Sequence, residues 1–196
     1  RRVLVRSAFD ASSGTVITDS SDYHNAAMLK GQQQAAWFAG KYNNAFALGT
    51  AASDTSSVDV PQAPQIRFDN SSFTVSLWVS LPAYDADNKI NSYLFQKGTM
   101  ENVDAGTGKW YGLQLKDKTL TFAVDDGIHK ASAGVSVAAG SQFDLFNQGW
   151  KHIVVLRDRS INRIRIYIDG VLAKSVDDGS VTGTIGKDAD LLIGNS

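Results

Sequence analysis

His152 is the residue whose surroundings most invite a catalytic reading. It stands in Trp150-Lys151-His152, at the head of a strongly β-patterned run. As a general base it would need a nucleophile on a strained turn, and neither "GTGKW" nor "DGSVTG" offers such an elbow. The sequence therefore predicts a structural histidine whose ring hydrogen-bonds within the fold. Glycoside hydrolysis would need two carboxylates flanking one bond. Glu101 is the sole glutamate, and the adjacent pairs Asp125-Asp126 and Asp177-Asp178 lie at strand ends. Neighbours on a strand point to opposite faces, so neither pair can share a substrate. His24 and His129 are isolated in polar loops, and no pair of histidines has zinc-ligand spacing. With no cysteine there is neither a disulfide framework nor a thiolate metal site. The chain reads as a non-enzyme.

The elements that must position any site are strands. The 20 acidic residues comprise Glu101 and otherwise only Asp, a turn former, and there are 17 Gly. In "FTVSLWVS" Phe73, Val75, Leu77 and Val79 share one face; Thr74, Ser76, Trp78 and Ser80 share the other. "YGLQLKDKTLTFAV" repeats the period-two signal twice, with Lys116-Asp117-Lys118-Thr119 as the connection. "RIRIYIDGVLAKS" reads as a hairpin on an Asp169-Gly170 turn, pairing Ile168 with Val171, Ile166 with Ala173 and Ile164 with Ser175. Arg163, Arg165 and Tyr167 then face outward. Trp150 is assigned to the core because it precedes the buried run "HIVVL". Further strands are expected at Val3–Val5, Ala45–Leu48, Ser57–Val60, Tyr93–Lys97 and Leu191–Ile193, and a helical turn within "NAAMLKGQQQAAWF". A net charge of -1 without a basic stripe excludes a nucleic-acid partner, and no apolar run is long enough to span a membrane as a helix. Short strands punctuated by turns predict one all-β, two-sheet antiparallel jelly-roll sandwich over residues 1–196.

The ordered segments carry a resemblance. "DSSDYHNAAMLKG", "GKYNNAFALG", "SSVDVP", "NSSFTVSLWVS", "YLFQKG", "YGLQLKDKTLTFAVDDG", "GWKHIVVLRD", "IRIYIDGVLAKS" and "LLIGNS" follow one another over nearly the whole chain. That order resembles the laminin-G-like, concanavalin A-like jelly-roll domains of secreted and cell-surface proteins, especially bacterial ones. Two departures stand out. The family's closing strand is expected to be missing after "IG", leaving the neighbour of Val3–Val5 unpaired, and the family's Trp-His-His is Trp150-Lys151-His152 here.

The resemblance implies an extracellular or cell-surface recognition module with glycan as the expected ligand; some relatives on this architecture are glycoside hydrolases, and it is the lone Glu101 that argues against that activity here. Sugar sites set an aromatic face against the C–H side of a pyranose and place polar groups beside it. The candidates are Trp110 after the Gly-rich "DAGTGK", Tyr84 in the Asp-rich loop, Trp78 on the polar strand face, Trp37, and Tyr23 with Asn25. For each aromatic, burial in the core is the competing reading. Calcium at a loop rim is a second expectation, with Asp85, Asp87 and Asn88 of "YDADNK" as ligands. That loop lacks the terminal glutamate of a twelve-residue calcium loop, and solvated turn aspartates are its competing reading. The alternative to glycan recognition is a structural or protein–protein interaction domain that positions a neighbouring domain.

Overall fold

The computed structural model describes residues 5–9, 13–31, 36–47, 56–84, 91–98 and 108–194. Its strands are β1 (Val16–Ile17), β2 (Ala27–Lys30), β3 (Ala36–Ala39), β4 (Asn44–Ala47), β5 (Ser57–Val60), β6 (Phe73–Ser80), β7 (Asn91–Lys97), β8 (Lys109–Lys116), β9 (Thr119–Asp126), β10 (Lys130–Ser136), β11 (Trp150–Asp158), β12 (Arg163–Ile168), β13 (Val171–Asp177) and β14 (Leu191–Ile193). One 3₁₀ turn covers Pro64–Ile66. The strands form an eight-stranded sheet, β1-β2-β5-β14-β7-β8-β9-β10, a four-stranded sheet, β13-β12-β11-β6, and the hairpin β3-β4. All named pairs are antiparallel.

The core follows from the period-two pattern. Leu113, Leu115, Leu120, Phe122 and Val124 of the larger sheet meet Phe73, Ile153, Val155, Ile164, Ile166 and Ile168 of the smaller. Phe68 and Phe73 stack at 4.2 Å, and the Tyr111 hydroxyl beside them donates to the Ile66 carbonyl at 2.6 Å. Burial pushes the Tyr111 phenol well above its usual pKa. A second cluster, around Ile17, Ala27, Val58, Val60 and Ile66, takes in Trp37 and Phe46 of the hairpin.

Four local expectations are corrected. The Ala/Gln-rich stretch contains no helical turn among its described residues: Ala27–Lys30 and Ala36–Ala39 are strands, and β2 alternates buried and exposed positions. The Asp169-Gly170 turn has φ of 48° and 80°, as a primed turn requires, but β13 carries a bulge. Ile166 therefore opposes Lys174 and Ile164 opposes Val176, with Ala173 as the extra residue. Trp150 pairs with Ser80 and shares its face with His152, so it lies half-buried on the outside of the four-stranded sheet. Trp110 is wholly buried rather than presented by a loop, because it is the second residue of β8, paired with Asp125. Within the larger sheet β14 is an interior strand between β5 and β7. Of the expected strand Val3–Val5, residues 3–4 lie outside the described residues and Val5 is not in a strand.

Asp126, the last residue of β9, ties the turn after that strand to the segment between β13 and β14. It accepts N–H groups from Ile128 (2.9 Å), His129 (2.7 Å) and Gly183 (2.8 Å). Burial acts to raise its pKa, but these donors outweigh it and hold the carboxyl below its ordinary value. A depressed folded pKa contributes stability that is complete above the unfolded pKa, about 4, and is lost as pH falls through the folded value. Asp126→Asn should therefore flatten the fall of melting temperature below pH 4. Parallel acid melts of variant and parent would contradict the assignment.

Candidate recognition surface

The outer face of the four-stranded sheet carries an aromatic cluster. Registers Trp78↔His152, Ser80↔Trp150 and Ser76↔Val154 bring β6 and β11 together, and Val154↔Tyr167 extends the face to β12. The Trp78 and His152 rings stack at 4.8 Å and 23°. The Ser76 hydroxyl lies 2.8 Å from His152 Nε2, which fixes the imidazole. The hairpin β3–β4 supplies the rest. Its turn closes with the Gly40 N–H donating to the Asn43 carbonyl, and Asn43 takes a φ of 51°. A Cβ on Gly40 would meet the Asn44 carbonyl oxygen at 2.5 Å, so the turn needs glycine there. This places Lys41 Nζ 5.2 Å from the centre of the Trp78 ring and sets Tyr42 edge-on to it, at 5.9 Å and 84°. Tyr42 is 67% exposed and Trp78 37%. The result is a right-angled aromatic corner, braced beneath by His152 and bordered by Ser76 and Lys41.

A cleft of about 380 Å³ lies past the end of β6. Ala83 and Tyr84 form one side, Lys118 of the β8–β9 turn another, and Ala139, Asp144, Phe146, Asn147 and Gln148 the third. A parallel bridge between Leu81 and Phe146 and the Asn147 N–H bond to the Leu81 carbonyl pin the third side to the first. Lys118 Nζ sits 4.3 Å from the centre of the Tyr84 ring, and Phe146 meets Tyr84 edge-on at 5.3 Å. Asp144 accepts the N–H groups of Gly140 and Phe146 (both 2.8 Å) and the Gln148 amide at 3.3 Å. The Gly140 bond is the leading influence holding its carboxyl below the ordinary range.

The sequence candidates divide sharply. Trp78 and Tyr84 occupy the corner and the cleft. Trp110 has no accessible face. Trp37 is half-buried against Phe46, at 5.1 Å, within the second cluster. Tyr23 and Asn25 belong to a turn organised by buried Asp19, which accepts N–H groups of Arg6, Ser21 and Asn25, and the Asn25 side chain accepts from Gln65. The structure does not bring these four to either site. Tyr42, Lys41, Lys118 and Gln148 were missed. Only the Asn-flanked turn "KYNNA" signalled Tyr42, and nothing in the sequence points it at Trp78. Asp85, Asp87, Asn88 and Glu101 lie outside the described residues. Among the described residues no group of three His, Cys, Asp or Glu is placed to hold a metal.

The Ser76–His152 contact does not assemble a hydrolytic relay. Asp169 accepts the backbone N–H of His152 (2.9 Å) and an ammonium hydrogen of Lys151 (2.9 Å), so it does not orient the ring. Ser76 lies mid-strand in the β6–β11 ladder, where no strained turn presents its hydroxyl. The surface can stack and hydrogen-bond; it is not built for acyl transfer.

Two facing antiparallel sheets define a jelly-roll sandwich, and an aromatic corner stands outside the smaller one. Residues 50–196 match the Laminin_G_3 family model, described as the concanavalin A-like lectin/glucanases superfamily, and the chain belongs to that family. Among solved structures it is similar to the binding domain of Paraclostridial Mosquitocidal Protein 1 (TM-score 0.69, 20% identity, covering 92% of this chain and 42% of that one). It is also similar to the botulinum neurotoxin serotype G binding domain (0.66, 18%, 90% and 40%). A third is the botulinum neurotoxin DC binding domain, solved in complex with rat synaptotagmin II (0.66, 16%, 96% and 45%). The chain thus spans less than half of each of these structures, and the likeness is one of fold. No curated protein matches the chain. No helix among the described residues is long and apolar enough to cross a membrane.

Proposed function

We propose that this chain is a non-catalytic recognition module of a secreted or surface protein and that it binds glycan on the outer face of the four-stranded sheet. The observation that carries the reading is the Tyr42–Trp78 corner. An exposed ring, held at a right angle by a second ring that is itself stacked on His152, is a preorganised apolar platform for the C–H face of a pyranose. Ser76 and Lys41 stand beside it for the hydroxyls. A spacer domain would instead present a flat apolar patch matched to its neighbour.

A glycan array probed with the whole chain tests this. Tyr42→Ala should cost a bound glycan about 2 kcal/mol, roughly thirtyfold in Kd. Because Tyr42 is largely exposed, folding stability should change by no more than about 0.5 kcal/mol. A blank array with folded protein, or hits indifferent to Tyr42→Ala, would move the assignment to a protein-interaction domain. Running the array with calcium and again with EDTA tests whether Asp85, Asp87 and Asn88 contribute a metal to recognition; a hit that survives EDTA removes calcium from the proposal.

A further inference from the structure

We propose that the Tyr84–Lys118 cleft is the anionic subsite of this surface, taking the carboxylate of an acidic sugar. The inference rests on the glycan reading above and names the ligand class. Four observations carry it.

The cleft is assembled by backbone contacts from three segments. Beyond the Leu81–Phe146 bridge, the Val137 N–H donates to the Lys118 carbonyl at 2.9 Å, and the Leu145 N–H donates to the Val137 carbonyl at 3.4 Å. Its volume, about 380 Å³, falls within the range of small-ligand sites. Its charge is also asymmetric. The Asp144 carboxylate is committed to Gly140, Phe146 and Gln148, with Lys151 close enough to act on it. Lys118 has no carboxylate partner among the described residues; its ammonium rests over the Tyr84 ring. Asp144 is thus the frame of the site, and Lys118 is the group with binding capacity left.

The surrounding groups suit a sugar acid. Tyr84 and Phe146 supply an apolar wall, and the exposed Asn147 amide can serve ring hydroxyls. One Gln148 amide hydrogen goes to Asp144, which leaves the second hydrogen as a donor and the oxygen as an acceptor. Finally, the cleft lies close to the corner along the chain. Gln148 is two residues from Trp150, which lies on the same outer face as Trp78, and no more than about 20 Å of extended chain separates Trp78 from Tyr84. One oligosaccharide chain can lie across both.

The test is an amide-resolved NMR titration of the whole chain with sodium glucuronate, glucose and sodium acetate at equal concentration and ionic strength. Glucuronate should shift Tyr84, Lys118, Asn147 and Gln148, while glucose and acetate should each bind at least about tenfold more weakly. Lys118→Met keeps the stem over Tyr84 and removes the charge; it should weaken glucuronate about tenfold, and Lys118→Arg should restore it. Equal shifts from glucose and glucuronate would overturn the anionic assignment, as would a Lys118→Met variant that binds like the parent. Acetate binding as well as glucuronate would overturn the sugar. A Tyr42-dependent array hit without any cleft response refutes this inference alone. A glucuronate response with a blank array refutes the corner and leaves the subsite standing.

Discussion

Asp178→Ala is expected to destabilise the protein by about 3–5 kcal/mol, the cost of leaving a buried charge without its partner. In a chain of this size that corresponds to roughly 10 °C in melting temperature. Arg157 lies on β11 with the inward parity of Ile153 and Val155, so a guanidinium stands where a core side chain would. Its Nε donates to Asp178 Oδ2 at 2.6 Å and its Nη2 to the Val181 carbonyl at 2.6 Å; both side chains are 0% exposed. Arg159 Nη1 reaches the same carboxylate at 3.1 Å. Burial acts to lower the Arg157 pKa, and the hydrogen bond and charge of Asp178 oppose it. Without Asp178 the desolvation remains and the compensation goes.

The pair is imperfectly satisfied, since Arg157 Nη1 and Asp178 Oδ1 find no partner among the described residues. Replacing both residues by apolar ones of similar size, Arg157→Met with Asp178→Leu, should therefore recover most of the loss. Thermal melts of the single and double variants decide the matter. An Asp178→Ala protein within 1 kcal/mol of the parent would mean that water reaches the pair, and that the segment from Asp178 to Val181 is not tied to β11 by charge.

The fold was legible because its information is local. Alternation in residues 73–80 and 109–126, and the Asp169-Gly170 turn, are properties of short segments, and the sheets follow them. The misreadings came where local signals compete with register. Trp150 stands next to a buried run, but burial on a strand alternates, and its parity is that of His152 rather than Ile153. Trp110 follows a Gly-rich stretch that suggested a loop, yet it is already in the β8–β9 ladder. The β13 bulge shifts register by one residue, which no propensity marks. The candidate sites were less legible than the fold. Tyr42 meets Trp78 across a long separation in sequence, and the cleft joins segments from the regions of Tyr84, Lys118 and Asp144. Such juxtapositions exist only after the sandwich has formed. An aromatic in the sequence could therefore be nominated as a platform, but its accessible face could not.

That distinction sets a second large effect. Trp110→Ala should cost about 3–5 kcal/mol, as large-to-small changes in a packed site do. The ring is wholly buried on the far face of the larger sheet, with Lys130 Nζ 5.2 Å from its centre. A Cβ built on Gly98 would come within 2.9 Å of the Trp110 Cβ, which shows how closely the backbone passes. Any loss of glycan binding in this variant should therefore track the loss of folded protein, unlike the loss from Tyr42→Ala. Trp110→Phe separates packing from polarity. Among the described residues the buried indole Nε1 has no acceptor, so removing its N–H breaks no hydrogen bond to them and relieves an unpaired polar atom. Trp110→Phe should consequently cost only the smaller ring's cavity, well below the alanine variant. If instead it destabilises as much as Trp110→Ala, the nitrogen has a partner in solution. Buried Asp125, the register neighbour whose Oδ2 also lacks a partner among the described residues, would be the first place to look for a bridging water.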